Sequence, residues 1–242
     1  PAMWQAFSNI VDLVVGDSRK PEQRSRPPAV PMLSHFLGYR SFDEDKRIFH
    51  QVRSKGFILE LAPLVGANDR VNDVIGSLFS DILLPGTKFS VTNYSSPRVA
   101  EKLQDWALPR YKASGVFQTL ARHRIDKLRN GVWSTLASDG PFFVRNFRVV
   151  MAVGISQGSG LSTDDLVTMR DGIVSALESI DVPVRDFEPT DLIRLFDEFL
   201  APSTGAGDEV PGYNRFDPIN EQCVRRDLVT HVEKDRIIVH AQ

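Results

Sequence analysis

The glycine-rich run Gly154-Ile155-Ser156-Gln157-Gly158-Ser159-Gly160 is the nearest this sequence comes to a phosphate-binding loop. Such a loop needs backbone N–H groups freed by glycine, then a lysine for the phosphates and a hydroxyl side chain for magnesium. This run carries no lysine and leads out of an alternating apolar stretch, so it reads as a plain strand-to-helix connection. The full pattern, GxxxxGK followed by Ser or Thr, occurs nowhere in the chain.

Other chemistries are no better served. His35, His50, His123, His231 and His240 are scattered, with no pair four residues apart and one cysteine, Cys223, to join them. Metal ligation from a single helix face or a Cys/His cluster is therefore not indicated. No recognisable cysteine-nucleophile signature is present. The carboxylate pairs Asp164-Asp165 and Asp197-Glu198 fall at a helix start and on what reads as a polar helix face, where acids cap and solubilise. No catalytic, cofactor-binding or metal-binding residue is assigned.

Two charged or amphipathic features remain as candidate contacts. The first is the basic cluster Arg122, Arg124, Lys127 and Arg129, with His123 among them. Residues 122 and 124 lie about 200° apart on a helix, so the cluster does not share one face. It reads as a solvated helix surface, or as a contact for an acidic partner or lipid headgroups. The lack of interleaved aromatic rings argues against direct nucleic-acid binding. The second feature is the stripe Trp4, Phe7, Val11 and Val14, followed by Arg19, Lys20, Arg24 and Arg26. An amphipathic helix over residues 4–15 with a basic linker to residue 31 would contact a membrane interface or a partner subunit. Alternatively, the stripe docks on the chain's own core.

The 242 residues, 42% hydrophobic and 25% charged, can bury one sizeable core or two small ones. A formal net charge of −2 gives no whole-molecule pull toward polyanions. A lone cysteine fits a reducing compartment, and no apolar run reaches the ~20 residues that span a bilayer. A cytoplasmic location is the expectation. Pro1-Ala2 reads as an addition ahead of a natural initiator at Met3.

The elements that must position these residues follow from periodicity. Strands are expected near 46–53, 56–63 and 88–94, with a helix between the last two at 69–82, capped by Asn68 or Asp69. Helices near 97–111 and 115–137 come next, the second turning Phe117, Leu120, Ile125, Leu128, Val132 and Leu136 toward the core. The longest strand signal runs from Phe143 to Ile155. Ser162-Thr163-Asp164-Asp165 opens a helix, followed by a short strand near 182–187 and a helix from Thr190 to Leu200. Residues 202–212 read as a loop, and Gln222–His240 as one or two antiparallel strands turning near Glu233-Lys234-Asp235. This order predicts an α+β fold over residues 32–242: an antiparallel sheet with helices packed on one face, in two βαβ-like halves. Leu59 and Val149 are expected in buried central strands.

From Met32 onward the chain resembles the N-terminal region of TraC-type ATPases of F-like conjugative type IV secretion systems. The resemblance rests on Leu37-Gly38-Tyr39-Arg40-Ser41-Phe42-Asp43, on Gly56-Phe57-Ile58-Leu59-Glu60-Leu61-Ala62-Pro63-Leu64-Val65-Gly66, and on Ser95-Ser96-Pro97-Arg98. It continues in the Phe117–Leu128 segment, in Arg145-Asn146-Phe147-Arg148-Val149 and in Asn220-Glu221-Gln222. What it implies is a longer protein in which a RecA-like module, using ATP and magnesium, follows this region. The region itself would carry no cofactor. It would serve pilus assembly and DNA transfer at the cytoplasmic face of the inner membrane, meeting inner-membrane and other secretion components and neighbouring subunits. No position here matches a Walker residue. Two readings compete with this one. One is a free-standing protein-binding adaptor; the other is an enzyme whose site is assembled from dispersed residues.

Overall fold

After a single 3-10 turn at Leu33–Phe36, the chain forms a hairpin of β1 (Tyr39–Asp43) and β2 (Ile48–Gln51), then turns at once into β3 (Ser54–Leu61). Helix α1 (Asp69–Ser77), prolonged by a π turn (Leu78–Ile82), leads to β4 (Thr87–Ser96). Helices α2 (Ala100–Lys112) and α3 (Gly115–Asn130) separate β4 from β5 (Asn146–Ser156). Helix α4 (Thr163–Glu178), β6 (Val184–Asp186) and α5 (Pro189–Leu200) follow. The chain ends with the single turn α6 (Ile219–Gln222) and a hairpin of β7 (Leu228–Val232) and β8 (Ile237–Ala241). The computed structural model describes residues 32–200 and 212–241, except 65, 67, 114, 137–139, 226 and 227. Trp4, Phe7, Val11, Val14, Arg19, Lys20, Arg24 and Arg26 lie outside the described residues.

The larger sheet runs β1-β2-β3-β5-β4, with β6 also paired to β3. Strand β5 lies along the whole length of β3, from Ser54↔Ser156 to Leu61↔Val149. The other edge of β3 is shared: β2 pairs at Lys55 and Gly56, and β6 at Leu59–Leu61. Taking β3, α1, β4, β5, α4 and β6 in sequence gives βαββαβ, with strands ordered β6-β3-β5-β4. This is the split-βαβ or ferredoxin-like arrangement, and it is the expected α+β fold of two βαβ-like halves. The β1–β2 hairpin widens it at one edge.

Register explains the core. Phe57, Leu59 and Leu61 lie opposite Val153, Met151 and Val149, so one face of β3 and β5 is apolar throughout. Leu166, Met169, Ile173 and Leu177 of α4 recur at helical spacing and pack on that face together with Leu78 of the π turn. Ile48 joins this cluster. Its neighbour Phe49 points to the opposite side, where Tyr39 meets it edge-on at 5.5 Å and Phe196 of α5 lies 6.5 Å from Tyr39.

Helix starts follow the expected chemistry. Val71 N–H donates to Asn68 Oδ1 at 3.0 Å. At α4, Asp165 N–H donates to Ser162 Oγ while Ser162 N–H donates to Asp165 Oδ2, a reciprocal capping box. These hydrogen bonds hold the Asp165 carboxyl below its usual range.

Several boundaries differ from expectation. Strand β1, too short to alternate clearly, was not expected, and the first expected strand is β2 alone. Helix α1 loosens into the π turn before Gly86, whose φ of +91° ends the segment. Helix α3 stops at Asn130 instead of 137, because Val144 N–H donates to Gly131 O and the chain leaves the helix axis. Val149 is half-buried where full burial was expected, while Leu59 is fully buried. The C-terminal hairpin turns where expected, with Glu233 N–H donating to Arg236 O at 2.8 Å.

Candidate interaction surface

The groups that could do chemistry are placed by these elements in structural roles. Gly154 lies within β5, opposite Gly56, and Gly158 and Gly160 take φ of +87° and +80° in the turn into α4. The first turn of α4 is already occupied by the Ser162–Asp165 box, and Lys55 Nζ donates to Thr163 Oγ1 at 2.6 Å beside it. A cleft above Gly56 and Gly154, lined also by Tyr39, Gln51, Lys55 and Lys88, has a volume of about 30 Å³. That is room for a water or two and not for a nucleotide. Among the described residues no three His, Cys, Asp or Glu come together as metal ligands. Burial pushes the Cys223 thiol up to about 12, the opposite of what a nucleophile requires.

One carboxylate pair departs from expectation. Asp197 and Glu198 are buried in α5, not on a polar face, and Arg225 Nη1 lies 3.9 Å from Asp197 Oδ1. The Asp197–Arg225 contact is a structural ion pair, fixed by where α5 packs. Asp164 instead takes Lys46 as an exposed partner at 2.7 Å.

A surface that combines exposed apolar and basic side chains lies on the segment between β4 and β5. Residues Asn93–Arg148 form a compact unit of their own. They hold ten Lys/Arg against four Asp/Glu, a formal charge of +6 within a chain whose total is −2. The remaining 186 residues therefore carry −8.

Within this unit α2 and α3 form a helical hairpin. Ala107 and Ala121 are its fully buried positions, and Leu103, Trp106, Ile125 and Leu128 are half-buried. Small residues at the contact leave the bulky ones outside. Val116, Phe117 and Leu120 are 72%, 59% and 60% exposed, so the expected inward direction of Phe117 and Leu120 is corrected. Leu108 and Tyr111 of α2 are exposed as well, and so is Leu136 beyond the end of α3.

All four residues of the basic cluster, Arg122, Arg124, Lys127 and Arg129, are exposed on α3. At about 100° per residue, Arg122 and Arg129 fall on one flank of Ala121, and Arg124 and Lys127 on the other. The cluster is thus two strips. Arg124 is drawn over the Trp106 ring at 5.1 Å, and Arg110 lies over the same ring at 4.0 Å. Arg110 also donates to Trp106 O at 2.5 Å, which folds it back along α2, away from the hairpin turn. The sequence signalled the charges but not their pairing around Trp106, since no motif links positions 106, 110 and 124.

The segments that carried the family resemblance map onto structure, not onto a common site. Leu37–Asp43 leads into and forms β1, Gly56–Leu61 is most of β3, and Arg145–Val149 enters β5. Ser96 ends β4, with Arg98 N–H donating to its Oγ. Asn220 is buried and donates to Ser34 O at 2.8 Å, tying α6 to the first turn. Gln222 binds the backbone of Asn214 and Asp217. Neither a curated protein nor a solved structure matches the chain. A family model described as TraC protein matches residues 33–242, the whole of the fold described above, and the chain belongs to this family of conjugative type IV secretion proteins.

Proposed function

We propose that this chain is the non-catalytic assembly region of a type IV secretion ATPase. It docks the enzyme to inner-membrane components at the cytoplasmic face and to neighbouring subunits. The single observation that carries this reading is the exposed apolar and basic surface of residues 93–148, in a chain of the TraC family whose sequence lacks a phosphate-binding pattern. Exposed apolar side chains of this extent mark contact surfaces. ATP and magnesium belong, in this reading, to a module beyond Gln242. The chain contacts protein and membrane partners and does not engage nucleic acid directly.

The experiment is calorimetric titration of the chain with ATP and magnesium. No saturable heat is expected at micromolar affinity, because nothing in the sequence can cradle a triphosphate. Saturable micromolar binding would assign nucleotide chemistry to this chain itself and end the non-catalytic reading.

A further inference from the structure

The α2–α3 hairpin is layered along its length. The half nearest its turn exposes Leu108, Tyr111, Val116, Phe117 and Leu120. Behind them the guanidinium groups of Arg110 and Arg124 converge on Trp106. Farther along α3, Arg122 and Arg129 line one flank, and Lys127 continues the Arg124 flank. At 1.5 Å per residue, the stretch from Gly115 to Leu120 is about 8 Å long, within the roughly 5–10 Å to which apolar faces enter the headgroup layer. Apart from Lys112 at the turn itself, the exposed cationic groups begin where that depth ends.

We propose that this hairpin is an end-on anchor to an anionic lipid surface. Val116, Phe117 and Leu120 enter the headgroup–acyl boundary, and the arginines and lysine behind them hold lipid phosphates. The inference deepens the membrane-side part of the reading above and rests on it for placement, but not on the ATPase assignment. An acidic protein groove would be met by one flank of a helix, whereas basic charge lies on both flanks of α3. A nucleic-acid backbone would use the charges and leave three large apolar side chains in water. Only a surface that accepts a tip and surrounds it uses all of these residues. Trp106 beside two arginines fits the interfacial layer, where amphipathic rings concentrate.

The test is co-sedimentation of the full chain with phosphatidylcholine vesicles, with and without about one-third phosphatidylglycerol. Binding is expected to the anionic vesicles alone, and it should weaken but persist as salt rises, because the apolar contact is not screened. The double variant Phe117→Ser/Leu120→Ser should bind at least about tenfold more weakly at an unchanged Tm, since both side chains are exposed in the free protein. The double variant Arg122→Glu/Arg129→Glu should bind more weakly and lose most of the salt dependence. Absence of binding to anionic vesicles would overturn the proposal. So would binding that the Phe117/Leu120 variant leaves unchanged, which would put the contact elsewhere in the chain. Polyglutamate or duplex DNA binding as tightly as the vesicles, with no sensitivity to that variant, would reduce the feature to a basic patch and overturn it too. A nucleotide-binding result in the calorimeter would remove the ATPase assignment and leave these outcomes standing.

Discussion

Leu59→Ala is expected to cost about 2–5 kcal/mol of folding stability, the range for truncating a leucine in a core that cannot collapse around the gap. Leu59 has no exposed surface. It pairs with Met151 on β5 and with Asp186 on β6, so strands hold it from both edges. Its face is closed by α4 residues Leu166, Met169 and Ile173. Relaxation would have to move a helix and two strands together, which places the cost toward the upper half of the range. A urea titration with an unchanged m-value checks it. A loss under about 1 kcal/mol would mean that the β3 strand is not the centre of the core.

Gly56→Ala acts by excess instead of deficit. A methyl group built on Gly56 lies 2.3 Å from Val153 O and 2.8 Å from Gly154 Cα, both backbone atoms of the paired strand. Real side-chain carbons do not approach backbone so closely, and the neighbour is not a flexible tip that can swing away. The added β propensity of alanine recovers only a fraction of a kcal/mol. The net expectation is a loss of about 2–3 kcal/mol, the upper part of the usual range for overpacking. Gly154→Ala is the control: its nearest obstacle is Lys55 O at 3.4 Å, so a much smaller loss is expected from the same chemical change across the same pair of strands. Equal losses in the two variants would mean that the close approach at Gly56 does not set the cost.

Much of this architecture was legible in the sequence because its signals are local. Alternation marked β5, continuous apolar character marked β3, and Ser162 with Asp165 marked the start of α4. The order of elements then gave two βαβ-like halves without any distant information. Periodicity was blind to which faces are covered. The period of α3 is that of a buried helix, but Ala107 and Ala121 occupy the contact with α2 and leave Phe117 and Leu120 in solvent. The reverse error concerns Asp197 and Glu198: acidic residues on a helix read as surface until the packing of α5 buries them. Strand β1 has only five residues, too few for alternation to emerge, and its existence depends on β2 as a template. The candidate surface was half visible. Its charges stood out along the chain, whereas the convergence of Arg110 and Arg124 on Trp106 requires two helices brought together by a turn.

The burial of Cys223 has a practical consequence for any study of that hairpin. At pH 8 a thiol with a pKa of about 12 is ionised in about one molecule in ten thousand, whereas an ordinary exposed cysteine is ionised in about a quarter. Alkylating reagents therefore discriminate strongly against the native cysteine, which is also buried from them while the fold is intact. The chain is already a clean background for site-directed spectroscopy: a cysteine placed at exposed Gln118 would take a fluorophore or spin label by itself, with no native thiol to engineer away.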